Sequence, residues 1–157
     1  MARTTKSKKA VLRWTLKFES GIKVARPTFA RIVSGIENLQ SEGDGNNWVI
    51  LETNHEDGSL AGFMQTACVE PGLYIVEVNV SKSETDTAQW KAGRKEPAGA
   101  VLSQGKKGLF KTYENEHLST DEVINIAEYF FSNQQCHRDF QWRSIREDVK
   151  ANQRSRK

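Results

Sequence analysis

The sequence predicts an α+β fold, an antiparallel sheet of about five to six strands with two helices packed on one face. Three observations predict it. Apolar and polar residues alternate over 12–18 and through three closely spaced runs between Trp48 and Val80. Two other segments, beginning near Phe29 and Val123, repeat apolar residues at helical spacing instead. Compact turn signals, Asp57-Gly58 and Pro71-Gly72, join the central strands into a meander.

Each element follows from its residues. Leu12, Trp14, Leu16 and Phe18 alternate with Arg13, Thr15 and Lys17, the period of a half-buried strand. After a turn at 19–21, Pro27 suits a first helical turn, and Phe29, Ile32, Val33, Ile36 and Leu39 share one face of a helix that stops before Gly43. Gly43-Asp44-Gly45-Asn46 is a turn, and strands follow over 48–53, 60–69 and 73–80. Residues 82–108 contain Gly93, Pro97, Gly99, Gly105 and Gly108 with little apolar periodicity; they read as mainly loop, broken by a short strand at 100–102. A strand resumes over 109–113. Ser119-Thr120-Asp121-Glu122 is a capping box with Leu118 as its staple residue, so a helix begins there. Its buried face is Val123, Ile124, Ala127, Phe130 and Phe131, and Asn133 is its stop. Phe140, Trp142 and Ile145 make a short closing strand or clasp. Two helices cannot bury their apolar stripes on each other alone, which places both across one side of the sheet.

The chain's 157 residues suit one domain with one core, and 37% hydrophobic with 27% charged residues is ordinary for a globular protein. The longest apolar runs fall far short of the roughly 20 residues a spanning helix needs. Residues 1–9 have basic side chains but no apolar run behind them, so a cytoplasmic protein without membrane association is expected. Cys68 and Cys136 lie in no metal-ligand spacing and read as buried free thiols; neither metal nor cofactor is expected.

Charge is segregated. Residues 32–81 hold no lysine or arginine and eight carboxylates, a net of −8, against +8 for residues 1–31, +4 for 82–111 and −1 for 112–157. Residues 1–9 and 147–157 read as a basic arm and a basic tail; the body between them, 10–146, has 15 cations and 18 anions. Such a field governs which partner is attracted and how fast.

No catalytic set converges. Gly105-Lys106-Lys107-Gly108 lacks the spacing of a phosphate loop, and Lys106 and Lys107 read as solvated charges. Glu114, Glu116 and His117 cluster before the second helix in the manner of an acid–base set, but polarity at a helix entry accounts for them better. His55 and His137 read as lone surface histidines. For nucleic acid, Trp14, Trp48, Trp90 and Trp142 are available for stacking, but the central strands bear acids where phosphate contacts need cations. Weak contact through the basic ends and the 82–107 segment is all that remains. Along 73–80, Tyr74, Val76, Val78 and Val80 alternate with Leu73, Ile75, Glu77 and Asn79, and Trp48, Ile50 and Glu52 alternate with Val49, Leu51 and Thr53. One face suits the helices. Its reverse mixes apolar anchors with carboxylates, either as an ordinary half-exposed sheet or as an interface for a basic protein. The partner-binding residues expected there are Asp44, Asn46, Trp48, Glu52, Glu56, Asp57 and Glu77.

Gly62-Phe63-Met64-Gln65-Thr66-Ala67, Tyr74-Ile75-Val76-Glu77-Val78, and the ending from Leu118-Ser119-Thr120-Asp121-Glu122-Val123 through Phe130-Phe131 to Phe140-Gln141-Trp142 resemble immunity proteins of bacterial polymorphic toxin systems. The likeness is to the first numbered immunity family, which includes antidotes to deaminase toxins, and it covers roughly residues 28–145. It implies a non-catalytic antitoxin that binds a cognate protein toxin and covers its active site. The charge map fits such a role if the toxin's nucleic-acid-acting site is basic. Two further classes stand beside it: a nucleic-acid-associated accessory protein using the basic ends, and a small enzyme built on Glu114, Glu116 and His117.

Overall fold

The computed structural model describes residues 12–41, 43, 45–83, 86–104 and 110–145, giving backbone alone at 81–83, 86–88, 103–104 and 110. The expected basic arm and tail, and Lys106 and Lys107, lie outside the described residues.

The architecture is α+β. Strands β1 (Arg13–Phe18), β2 (Lys23–Ala25), β3 (Trp48–Asn54), β4 (Leu60–Glu70), β5 (Leu73–Ser83), β6 (Asp86–Arg94) and β10 (Phe140–Ser144) form an antiparallel sheet in the order β10-β6-β5-β4-β3-β1-β2. The short β9 (Leu118–Ser119) pairs with the start of β5 as an eighth strand, occupying the register that β6 leaves free beyond Glu77. A separate two-stranded ribbon joins β7 (Val101–Gln104) to β8 (Phe110–Tyr113).

Helix α1 (Phe29–Glu37) starts at Thr28, whose hydroxyl accepts from the Arg31 amide, so Pro27 precedes the cap instead of opening the helix. Helix α2 (Thr120–Asn133) opens on the expected capping box: the Glu122 amide donates to Ser119 Oγ at 3.3 Å and the Ser119 amide to Glu122 Oε1 at 3.0 Å. Gln134 ends it in the left-handed region, its amide donating to the Phe130 carbonyl. Both helices cover one side of the sheet. There Ile32 and Ile36 meet Val123, Ile126, Ala127 and Phe130 over Leu16, Val49, Leu51, Met64, Val76 and Val78. Ile126, rather than Ile124 or Phe131, completes the buried stripe of α2; those two are half-buried. At Gly62 a Cβ would lie 2.7 Å from the Asn79 carbonyl oxygen, so β4 and β5 need glycine to pair this closely under Phe130.

The sheet exceeds the expected five to six strands because β2, β6 and β9 join it, and β6 comes from the segment read as loop. Residues 82–108 supply the end of β5, all of β6 and the expected short strand, here β7. Strand β6 shows no apolar alternation because one of its faces consists of Gln89, Lys91 and Gly93. Lys91 is 1% exposed, with Nζ 3.5 Å from Glu77 Oε1 and from the Lys111 carbonyl oxygen. A lysine buried against a cross-strand carboxylate gives no hydrophobic signal. Strand β2, three residues long, likewise left none.

Cys68 is buried as expected, whereas Cys136 is only half-buried. His137 is buried, not a surface residue: it packs between Tyr129 and Phe140, and its Nδ1 accepts from the Asp139 amide at 3.0 Å. No helix among the described residues is long and apolar enough to cross a membrane.

Candidate functional site: the open face of the sheet

Directly opposed residues in antiparallel pairs share a face. The registers therefore define three rows on the side of the sheet away from the helices. The first runs Lys17, Ile50, Gln65, Glu77, Lys91, Arg143 across β1, β3, β4, β5, β6 and β10. The second runs Thr15, Glu52, Phe63, Asn79, Gln89, and the third Trp48, Ala67, Ile75. Trp48, Ile50, Phe63 and Ile75 are half-buried, and none of them belongs to the hydrophobic core or packs against it.

The β10 end of this face is covered. A 3₁₀ turn (Glu114–Glu116) and β8 fold over β6, and the Asn115 side chain seats on Gly93, where a Cβ would stand 2.7 Å from its Nδ2. Asn115 donates from Nδ2 to the Arg94 carbonyl at 3.1 Å. Arg143 grips the buried Glu116 with Nε at 2.9 Å and Nη2 at 3.0 Å, donates to the Lys111 carbonyl and stacks on Tyr113. Glu116 also accepts from the Tyr113 amide at 2.9 Å. Glu114, Glu116 and His117 thus have separate engagements. Glu116 is a strut, Glu114 is exposed against Gly99, and His117 Nε2 lies 3.1 Å from Thr112 Oγ1. Burial holds the His117 imidazole below its ordinary value, against the pull of Glu70 and Glu116.

The structure places six of the seven expected partner-binding residues and does not bring them together. Trp48, Glu52 and Glu77 stand on its rows. Glu56 and Asp57 occupy the exposed β3–β4 turn, where the Ser59 amide and hydroxyl donate to Asp57 Oδ1 and lower its carboxyl. Asn46 lies beyond the other end of β3, donating to the Asn38 carbonyl. Seven residues of strand, roughly 20 Å, separate those two ends. Asp44 lies outside the described residues.

The acidic block is also not bare. Lys17 reaches from β1 to Glu52 Oε2 at 2.8 Å, and Glu77 faces Lys91 and accepts from Gln89 at 3.2 Å. Burial pushes the Glu52 carboxyl up, but hydrogen bonds from Lys17 and Asn54 and the nearby charges of Lys17 and Lys23 outweigh it and leave it below its ordinary value. Fifty residues without a cation became adjacent in space to cations from both flanking segments. The expectation of a concentrated anionic surface on the central strands is therefore corrected: the rows are apolar and charge-paired. Ile50, Phe63 and Ile75 of the open face are missing from the expected set; alternation had put Ile50 and Ile75 on this face, and that of Ala61, Phe63, Gln65 and Ala67 in β4 exposed Phe63 to the same reasoning.

Among the described residues no group of three or more histidine, cysteine, aspartate or glutamate side chains could hold a metal. No known protein-family model and no curated protein matches the chain.

Proposed function

We propose that the protein acts by occupation, as an immunity-type antitoxin that docks a cognate protein toxin through the open half of its sheet. One observation carries this reading: Trp48, Ile50, Phe63 and Ile75 form an apolar strip detached from the core, while the charges around it are internally paired. Aromatic and aliphatic anchors within a polar, hydrogen-bonded rim are the composition of a protein interface. Balanced charge on the rows disfavours a phosphate backbone as occupant, since nucleic-acid binding rests on unpaired cations. The identity of the partner as a toxin rests on the resemblance of residues 28–145. Carboxylate mimicry of a nucleic acid is no part of the proposal, because Glu52 and Glu77 already have lysine partners.

Co-expression with the product of an adjacent toxin gene, followed by co-purification, tests it. The parent should retain the toxin and suppress its activity, while Ile50→Glu and Trp48→Ala should release it with the fold intact. Retention of the toxin by both variants, or its failure to bind the parent, would overturn the reading.

A further inference from the structure

A groove of about 370 Å³ opens at the end of the sheet, where β1 begins, β2 ends and the β3–β4 turn begins. Leu12, Arg13, Trp14, Arg26, Pro27 and Glu56 line it. The volume falls in the range of small-molecule sites, roughly 300–1,000 Å³. The groove lies beyond the rows of the docking face and does not depend on the function proposed for them.

Two features bear on what it binds. Arg13 and Arg26 are exposed, and neither guanidinium has a hydrogen bond or ion pair with the described residues. Lys17, Lys91, Arg94 and Arg143, by contrast, each meet a carboxylate. Second, Arg26 has φ +51, a left-handed conformation that glycine adopts freely and a long side chain does not. The other described non-glycine residue in this region, Gln134, is a helix cap. Arg26 has no such role; its amide donates to the Trp14 carbonyl at 3.0 Å, which pins the strained residue beside the groove. Strain of this kind is concentrated at ligand sites.

The geometry points to a binding site for a small organic phosphate with a flat ring, of the nucleoside monophosphate class. Two guanidinium groups offer the forked donors that phosphate oxygens accept. Leu12, Trp14 and Pro27 supply an apolar wall for the ring, and Glu56 an acceptor for a hydroxyl or amino group. Trp14 is already held from behind by Phe130 and Phe131, at ring-centroid distances of 5.6 and 4.9 Å, so the wall is rigid.

Titration calorimetry of the full chain with adenosine monophosphate, adenosine and inorganic phosphate tests the assignment. The monophosphate should bind saturably and about tenfold or more tighter than adenosine or phosphate alone, because it engages both the guanidinium pair and the wall. Arg13→Ala should weaken it about tenfold. Arg26→Gly should weaken it equally while raising thermal stability, since glycine relieves the left-handed strain; this variant separates lost binding from lost folding. No saturable binding of the monophosphate, or binding that survives both substitutions and therefore comes from cations elsewhere, would overturn the assignment.

Discussion

Replacing Glu116 by alanine tests how the segment following β6 is fastened to the sheet. The carboxylate is 3% exposed, accepts two bonds from Arg143 and one from the Tyr113 amide, and ties β8 to β10. Truncation leaves the Tyr113 N–H without its acceptor, a cost of about 1–3 kcal/mol. The lost bonds to Arg143 add less than a fully buried pair would. That guanidinium is 31% exposed, keeps the Lys111 carbonyl at 2.9 Å, and is screened by water. A total of about 2–4 kcal/mol follows, a large share of the roughly 5–15 kcal/mol available to a domain. At about 2–4 °C per kcal/mol for a chain of this size, the melting temperature should drop by roughly 5–15 °C. Glu116→Gln, which keeps an acceptor for Tyr113, should lose about half as much. Urea unfolding followed by far-ultraviolet circular dichroism reads both. A coupling energy near zero in the Glu116→Ala and Arg143→Ala double-mutant cycle, or a Glu116→Ala midpoint equal to or above the parent's, would refute the strut and return Glu116 to candidacy as a functional carboxylate.

Other predictions follow from single contacts. Gly62→Ala places a methyl group 2.7 Å from the Asn79 carbonyl oxygen, a backbone atom that cannot swing away, and should cost about 1–3 kcal/mol in denaturant unfolding. Ser119→Ala removes the acceptor for the Glu122 amide and should cost about 1 kcal/mol in the same measurement. The carboxyls of Glu52 and Glu122 both titrate below the ordinary glutamate value of 4.5 in the folded protein, although burial alone would raise them. Lys17 and Asn54 reverse the burial effect at Glu52, and Arg94 and Ser119 at Glu122. Their stabilisation is therefore fully present above pH 4.5 and is lost as pH falls through the lowered folded-state values. Glu122→Gln should flatten that acid limb of the stability profile, and an unchanged slope would contradict the assignment. On the open face, Ile50→Glu should cost only about 1 kcal/mol in denaturant unfolding, as replacing a half-buried β-branched strand residue does, while abolishing toxin co-purification.

The sequence alone determined the elements whose burial is apolar and periodic. Leu16 and Phe18, the alternation of β3, β4 and β5, and the capping box of α2 are local signals, and local signals survive into the fold because each element must bury its own stripe. It also separated the two faces of the meander, since period two assigns Val49 and Leu51 to one side and Trp48 and Ile50 to the other. Tertiary structure alone decided where the charges went. Strand β6 is polar on one side, and only the approach of Glu77, Lys111 and the 3₁₀ turn makes that side an interior; no pattern within 82–108 contains those neighbours. The acidic run of 32–81 met the same fate, because β1 and β6 lie on either side of the β3–β5 meander and deliver Lys17 and Lys91 to its carboxylates. Hydrophobic burial is a property of a residue and its period, whereas electrostatic environment belongs to the pairs that a topology creates.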